Sequence, residues 1–245
     1  MSYELHPLSL GEIEAMESIL FAGGSASTFR RIGLFAWLLV GPRSTVLVDT
    51  GINDLSVVNR TRKGPNPWTQ PDGQTVEAGL NRLGTPPSSV DKVILTHSHY
   101  DHISNVSLFE RAEVYISARE HAFLYSPGNP AAEHLSEAKK HLNQLAAAGK
   151  LIMVGDDLTV DDDIRIQWAG GHTPGSQMVT ANTVQGRFLL TGDAVFLREN
   201  VAEGVPIGLT MDSGQSRKAI ATCRRFEGEC LPSHDLSVLK LLKAG

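Results

Sequence analysis

Cysteine is scarce. The chain has 245 residues and only two, Cys223 and Cys230. Two thiols separated by six residues form no disulfide framework and no redox motif, so they read as reduced. Aromatic residues make up only 6% of the chain, and basic residues are outnumbered 22 to 27 by acidic ones. A net charge of −5 disfavours binding to a phosphate backbone, which needs a basic face. Long hydrophobic runs are missing too. The longest, Leu34–Val40, stops at Gly41-Pro42 and is far too short to span a bilayer. Residues 1–6 carry neither a basic nor an apolar leader pattern, so the expected location is cytoplasmic.

What remains is ordinary globular chemistry, 41% hydrophobic and 20% charged. Strand-like runs are read at Gly33–Val40, Thr45–Val48, Lys92–Leu95, Glu113–Ile116, Leu151–Val154, Ile164–Trp168, Met178–Ala181 and Arg187–Leu190. Helical spacing places Val76, Leu80 and Leu83 on one face before Gly84. It does the same for Leu135, Ala138, Leu142 and Leu145 before Gly149. Further helices are expected over Gln215–Arg225 and after Asp235. The stretches 52–75 and 196–214 read as long loops, the first with a Gly/Pro-rich part at Lys63–Gly73. The pattern is α/β in layers, with residues 1–245 expected as a single domain.

Histidine is the residue in unusual supply. Five of the nine lie in three short segments. Thr96-His97-Ser98-His99-Tyr100-Asp101-His102 follows a strand. Imidazole and carboxylate donors this close together suit Zn²⁺, and in an extended segment His97, His99 and Asp101 would share one side. Three weaker segments follow. Gly170-Gly171-His172-Thr173-Pro174-Gly175 is a tight turn, Leu189–Asp193 is a strand ending in an acid, and Leu231-Pro232-Ser233-His234-Asp235 is a short strand ending in a histidine. His134 and His141 fall on one helical face and, with His6 and His121, read as solvated.

H-x-H-x-D-H, then G-H-T-P-G, then G-D, then S-H, in that order, resembles the metallo-β-lactamase superfamily, as does the earlier Val46–Gly51 with its Asp49. The resemblance implies a four-layered αβ/βα sandwich with two sheets face to face. It also implies two divalent metal ions, zinc first, with iron, cobalt or manganese also suited to these donors. One ion falls to His97, His99 and His172, the other to Asp101, His102 and His234, with Asp193 between them. His99 stands where redox di-iron members carry Glu, which favours hydrolysis. Asp49 resembles the family acid that orients a ligand histidine; a buried turn Asp capping nearby N–H groups is the alternative.

Within the superfamily, Phe35–Leu39, Leu83–Asp91, and Asp193-Ala194-Val195-Phe196 followed by Glu199-Asn200 are similar to lactonases, including quorum-quenching N-acyl homoserine lactonases. The implied reaction is opening of a cyclic ester by a metal-bridging hydroxide, with Asp101 and Asp193 as catalytic residues, Asp101 taking part in proton transfer. Phe196 departs from the pattern, because many acyl homoserine lactonases carry Tyr there. The alternatives are a glyoxalase-II-like thioesterase, another ring amide or ester hydrolase and, last, a non-enzymatic metal-binding module. Phe29, Trp68, Phe196 and Met211 are candidate pocket residues, and Arg30 is a candidate contact for an anionic substrate group. The expected partner is a small molecule, a lactone, with no nucleic acid and no membrane; a homodimer is left open.

Overall fold

The computed structural model describes residues 2–61, 66–127, 129 and 135–242. Two sheets lie at its centre. The first has six strands in sequential order: β1 (Glu4–Met16), β2 (Phe29–Val40), β3 (Thr45–Val48), β4 (Lys92–Ile94), β5 (Glu113–Ser117) and β6 (Leu151–Val154). The second runs β11 (Glu229–Leu231), β10 (Gly186–Leu190), β9 (Gln177–Thr183), β8 (Ile164–Trp168) and β7 (Asp157–Asp161). Strands β3 to β6 pair parallel, as do β10 and β11; the other pairings are antiparallel.

Strand β2 shows why the sheets stack. Its residues 32–39 are all buried. Successive side chains point to opposite faces, so Phe35, Trp37 and Leu39 pack against Ile166, Val179 and Leu190 between the sheets. Leu34, Ala36 and Leu38 face the other way, toward the helices. An uninterrupted apolar run therefore marks a strand covered on both sides. Trp37 is fully buried, its ring centroid 6.0 Å from that of Phe35. Trp37→Ala is expected to cost about 3–5 kcal/mol, to be read as a lower denaturant midpoint at unchanged slope.

Helices close the outer faces. On the first sheet lie α3 (Val76–Arg82), α5 (Ala118–Leu124) and α6 (Ser136–Ala147), contributing Leu80, Leu124 and Leu142. On the second, α8 (Ser213–Arg225) packs Ala219, Ile220 and Cys223 against Met178 and Leu189. The order helix, sheet, sheet, helix is the expected αβ/βα sandwich.

The eight expected strand runs are all present, the short strand expected at Leu231 falls slightly earlier as β11, and two more strands, β1 and β7, lie at sheet edges. β1 escaped notice because Pro7 and Gly11 interrupt its alternation; Pro is tolerated on an edge strand, and Gly11 sits at a bulge with φ 145°. β7 carries acids at both ends, which suits an exposed edge. The stretches read as long loops need correction. α2 (Leu55–Thr61) lies in the first and α7 (Arg198–Glu203) in the second, and Thr69 bridges back to Glu12 of β1. Part of Lys63–Gly73, like His134, lies outside the described residues. His141 is also corrected, being only 9% exposed rather than solvated. Both cysteines are free, Cys223 buried and Cys230 half-buried. Among the described residues, no helix is long and apolar enough to cross a membrane.

Candidate metal centre

The parallel strands deliver their C-terminal ends to one place. β3 ends before Asp49, and β4 before the segment 96–102. β10 ends before Asp193, β11 before His234, and the β8–β9 connection carries His172. The sheets are tied together there, since Gln177 N–H donates to Thr96 O at 2.9 Å and Gly33 N–H to His234 O at 3.0 Å. The segment after β4 is not extended throughout. It turns into α4 (Tyr100–Ile103), so Asp101 and His102 sit on a helical turn while His97 and His99 precede it.

That turn separates the donors into two groups. His97, His99, His172 and Asp193 form one; Asp101, His102 and His234 form the other, with the ligand-type atoms of each group within 4.8 Å of one another. Asp193 touches both. Its Oδ2 lies 3.5 Å from His97 Nε2 and 3.3 Å from His172 Nε2. Its Oδ1 lies 3.2 Å from His102 Nε2 and 3.0 Å from His234 Nε2.

The outer ring nitrogens are fixed by fold atoms. His172 Nδ1 donates to Leu209 O and His234 Nδ1 to Gly33 O, each at 2.8 Å, and His102 Nδ1 donates to Asp49 Oδ2 at 2.7 Å. Those protons leave Nε2 lone pairs facing inward. Asp49 also accepts from Thr96 N–H and Oγ–H, both at 2.8 Å. It both orients a histidine and caps a turn, in a left-handed backbone conformation with φ 64°.

Burial dominates the electrostatics. It pushes His97 well below its usual range, and His99 and His172 down to about 4. Burial opposes charge on His102 as well, yet Asp193, Asp49 and Asp101 outweigh it and hold His102 well above its ordinary value. His234 is raised against the same penalty, chiefly by Asp193. Burial likewise works against ionisation of Asp193, but the facing imidazoles of His102, His234 and His97 hold its carboxyl well below the usual carboxylate range.

The sequence model of the metallo-beta-lactamase superfamily matches residues 33–230. The chain belongs to that superfamily. A probable metallo-hydrolase of Methanocaldococcus jannaschii is 27% identical over 162 residues, covering 66% of this chain and 65% of that protein, just under two thirds of its length. An N-acyl homoserine lactonase of Bacillus thuringiensis is 28% identical over 188 residues, covering 71% and 68%. Among solved structures, a B. thuringiensis AiiA mutant with N-decanoyl-L-homoserine bound at its active site superposes with a TM-score of 0.84 at 20% identity, over 98% of this chain and 97% of the other. AidC, described as a dizinc quorum-quenching lactonase, gives 0.69 at 20% identity over 96% and 88%. These structural likenesses establish the fold.

The superfamily implies bound metal, and the residues present fit it. His97 Nε2, His102 Nε2 and Asp193 Oδ1 are buried without a hydrogen-bond partner in the protein. His99 Nδ1 and His172 Nε2 face each other at 2.9 Å. Buried polar atoms left unpaired are costly, and converging nitrogen and carboxylate lone pairs are a donor set for a divalent cation.

The candidate pocket residues divide. The Phe196 ring packs edge-on against His172 and His234, centroids 5.4 and 5.3 Å away, and the Trp68 ring is 6.2 Å from His234. Phe29 and Met211 are exposed, 37% and 61%, although Met211 N–H donates to Gly171 O beside His172. Arg30 grips Glu199 through both carboxylate oxygens, so its guanidinium already has an anion within the protein. Two residues passed over in the sequence belong here. Tyr100 is one, its hydroxyl accepting from Trp68 Nε1 at 3.1 Å. Glu120 is the other, a fully buried acid whose only signal was its place one turn before Leu124 on an apolar helix face.

Proposed function

We propose that the protein is a binuclear metal-dependent hydrolase that opens the ring of a cyclic ester. The observation that carries this reading is the convergence of seven buried or half-buried His and Asp side chains in two groups joined by Asp193. One divalent ion would be held by His97, His99 and His172, the other by Asp101, His102 and His234, with Asp193 shared. Zinc suits these donors, and iron, cobalt and manganese are compatible with them. When bound, such ions supply Lewis acidity toward a carbonyl oxygen and acidify water.

The chain's own groups supply the rest. Asp49, Leu209 O and Gly33 O hold three imidazoles in a single tautomer and orientation. Asp101, on the first turn of α4, keeps 10% of its side chain exposed. It takes the proton released as water adds to the carbonyl carbon. It returns that proton to the ring oxygen as the C–O bond breaks. Phe196 and Trp68 give the adjoining wall an apolar face that keeps bulk water from the ester. The lactonase reading rests further on the B. thuringiensis relative, an N-acyl homoserine lactonase. Phe196 brings no hydroxyl to the substrate, which favours cyclic esters that need no phenol contact.

The test is proton release by zinc-loaded protein against short- and long-chain lactones, a thioester and a β-lactam. Lactone turnover above the others is the expected result. Thioester turnover alone would replace ring opening by glyoxalase-II-like chemistry, and binding of metal without turnover of any ester would leave a metal-binding module.

A further inference from the structure

The mechanism above makes no use of Glu120, which is fully buried at the third position of α5. Among the described residues it makes no ion pair with a lysine or arginine. Its Oε1 accepts from Ser98 N–H at 2.8 Å and from Ser98 Oγ–H at 2.6 Å. Its Oε2 accepts from Thr173 Oγ–H at 2.6 Å and from Gly175 N–H at 3.0 Å. Both oxygens are therefore saturated by donors from two different loops.

Those loops carry the three histidines of the first donor group. Ser98 lies between His97 and His99, and Thr173 follows His172. The approach is close enough to demand glycine, because a Cβ on Gly175 would lie 2.2 Å from Glu120 N. The neighbouring Arg119 reinforces the joint. Its guanidinium stacks 4.5 Å above the Trp168 ring, and Trp168 Nε1 donates to Pro174 O at 2.9 Å. Among the described residues Glu120 makes no hydrogen bond to the second group, where Asp49 holds His102 and Gly33 O holds His234.

We infer that Glu120 is a positioning residue for one metal site only, clamping the loops of His97, His99 and His172 so that their nitrogens converge on one ion. The inference rests on the two-site reading above. A buried carboxylate without a paired cation is costly to desolvate, and four charge-assisted hydrogen bonds to two ligand loops offset that cost. Outer partners of this kind set ligand orientation, and losing one weakens metal binding roughly 10–100-fold.

The test is Co(II) binding, followed by visible absorption and equilibrium dialysis in single-site backgrounds. His234→Ala leaves the first group intact, and His99→Ala leaves the second. Adding Glu120→Gln keeps the shape but turns an amide N–H₂ toward two donors. It is expected to weaken Co(II) about 10–100-fold in the His234→Ala background and to leave affinity unchanged in the His99→Ala background. Equal weakening in both backgrounds would mean a general structural role and would overturn the inference. No weakening in either would overturn it as well. Should Glu120→Gln not fold, Thr173→Val removes one donor at nearly constant shape and is read the same way. Wild-type protein that takes up two Co(II) while the variants behave alike defeats this inference alone; wild-type protein that takes up none defeats the two-site reading with it.

Discussion

Asp193→Asn is expected to lower turnover at least about 10²–10³-fold, the range for losing one charge-stabilising group at a reacting centre. The substitution changes almost no volume. What it removes is, among the described residues, the one carboxylate that lies within 3.0–3.5 Å of imidazole nitrogens from both donor groups. An amide presents one neutral oxygen to one group and an N–H₂ to the other, so it serves at most one of them. The bound-metal count should fall from two toward one, measured by elemental analysis after dialysis. Near-ultraviolet dichroism separates this from unfolding, because Trp37 and Phe35 sit in a core the substitution does not touch. A folded variant with two metals and near-normal turnover would remove Asp193 from the chemistry.

Stripping the metal with a chelator is expected to abolish turnover and to lower the melting temperature. A ligand that binds only the folded state stabilises it by about 4 kcal/mol at a thousandfold excess over its Kd. For a chain of this size each kcal/mol moves the midpoint roughly 2–4 °C. Loss of one tightly held ion should therefore lower it about 8–16 °C. The physical source is local. Without a cation, His97 Nε2, His102 Nε2 and Asp193 Oδ1 stay buried and unpartnered. Calorimetry with and without chelator, followed by re-addition of zinc, cobalt or manganese, measures both effects. A chelated protein with an unchanged midpoint and unchanged turnover would exclude a structural or catalytic metal.

The donor residues were legible because their chemistry is local. Three His and one Asp within six residues after a strand are rare enough to stand out, and the turn residues around His172 mark it. The fold was legible for a related reason. Runs such as Leu34–Val40 exceed what a half-buried strand needs, and only a strand covered on both faces uses them. Elements without such a pattern were passed over. β1 is broken by Pro7 and Gly11, β7 is acidic, and α2 and α7 are short helices inside polar stretches.

The sequence by itself determined the composition of the candidate site, the order in which its His and Asp residues arrive and most of the strands that bring them. Those depend on residue type and on periods of two or about 3.6, which are written into neighbouring positions. Tertiary structure decided that Asp101 does not share a side with His97 and His99, because Asp101 and His102 leave the extended path on the turn of α4. It decided that Arg30 is satisfied by Glu199, 169 residues away, and that Phe196 stands against imidazoles of both groups. It also decided that Glu120 joins Ser98 to Thr173 and Gly175. Hydrogen bonds of that kind link positions far apart in the chain: strand pairing brings Ser98 to Glu120, and the packing of one sheet on the other brings Thr173 and Gly175 to it.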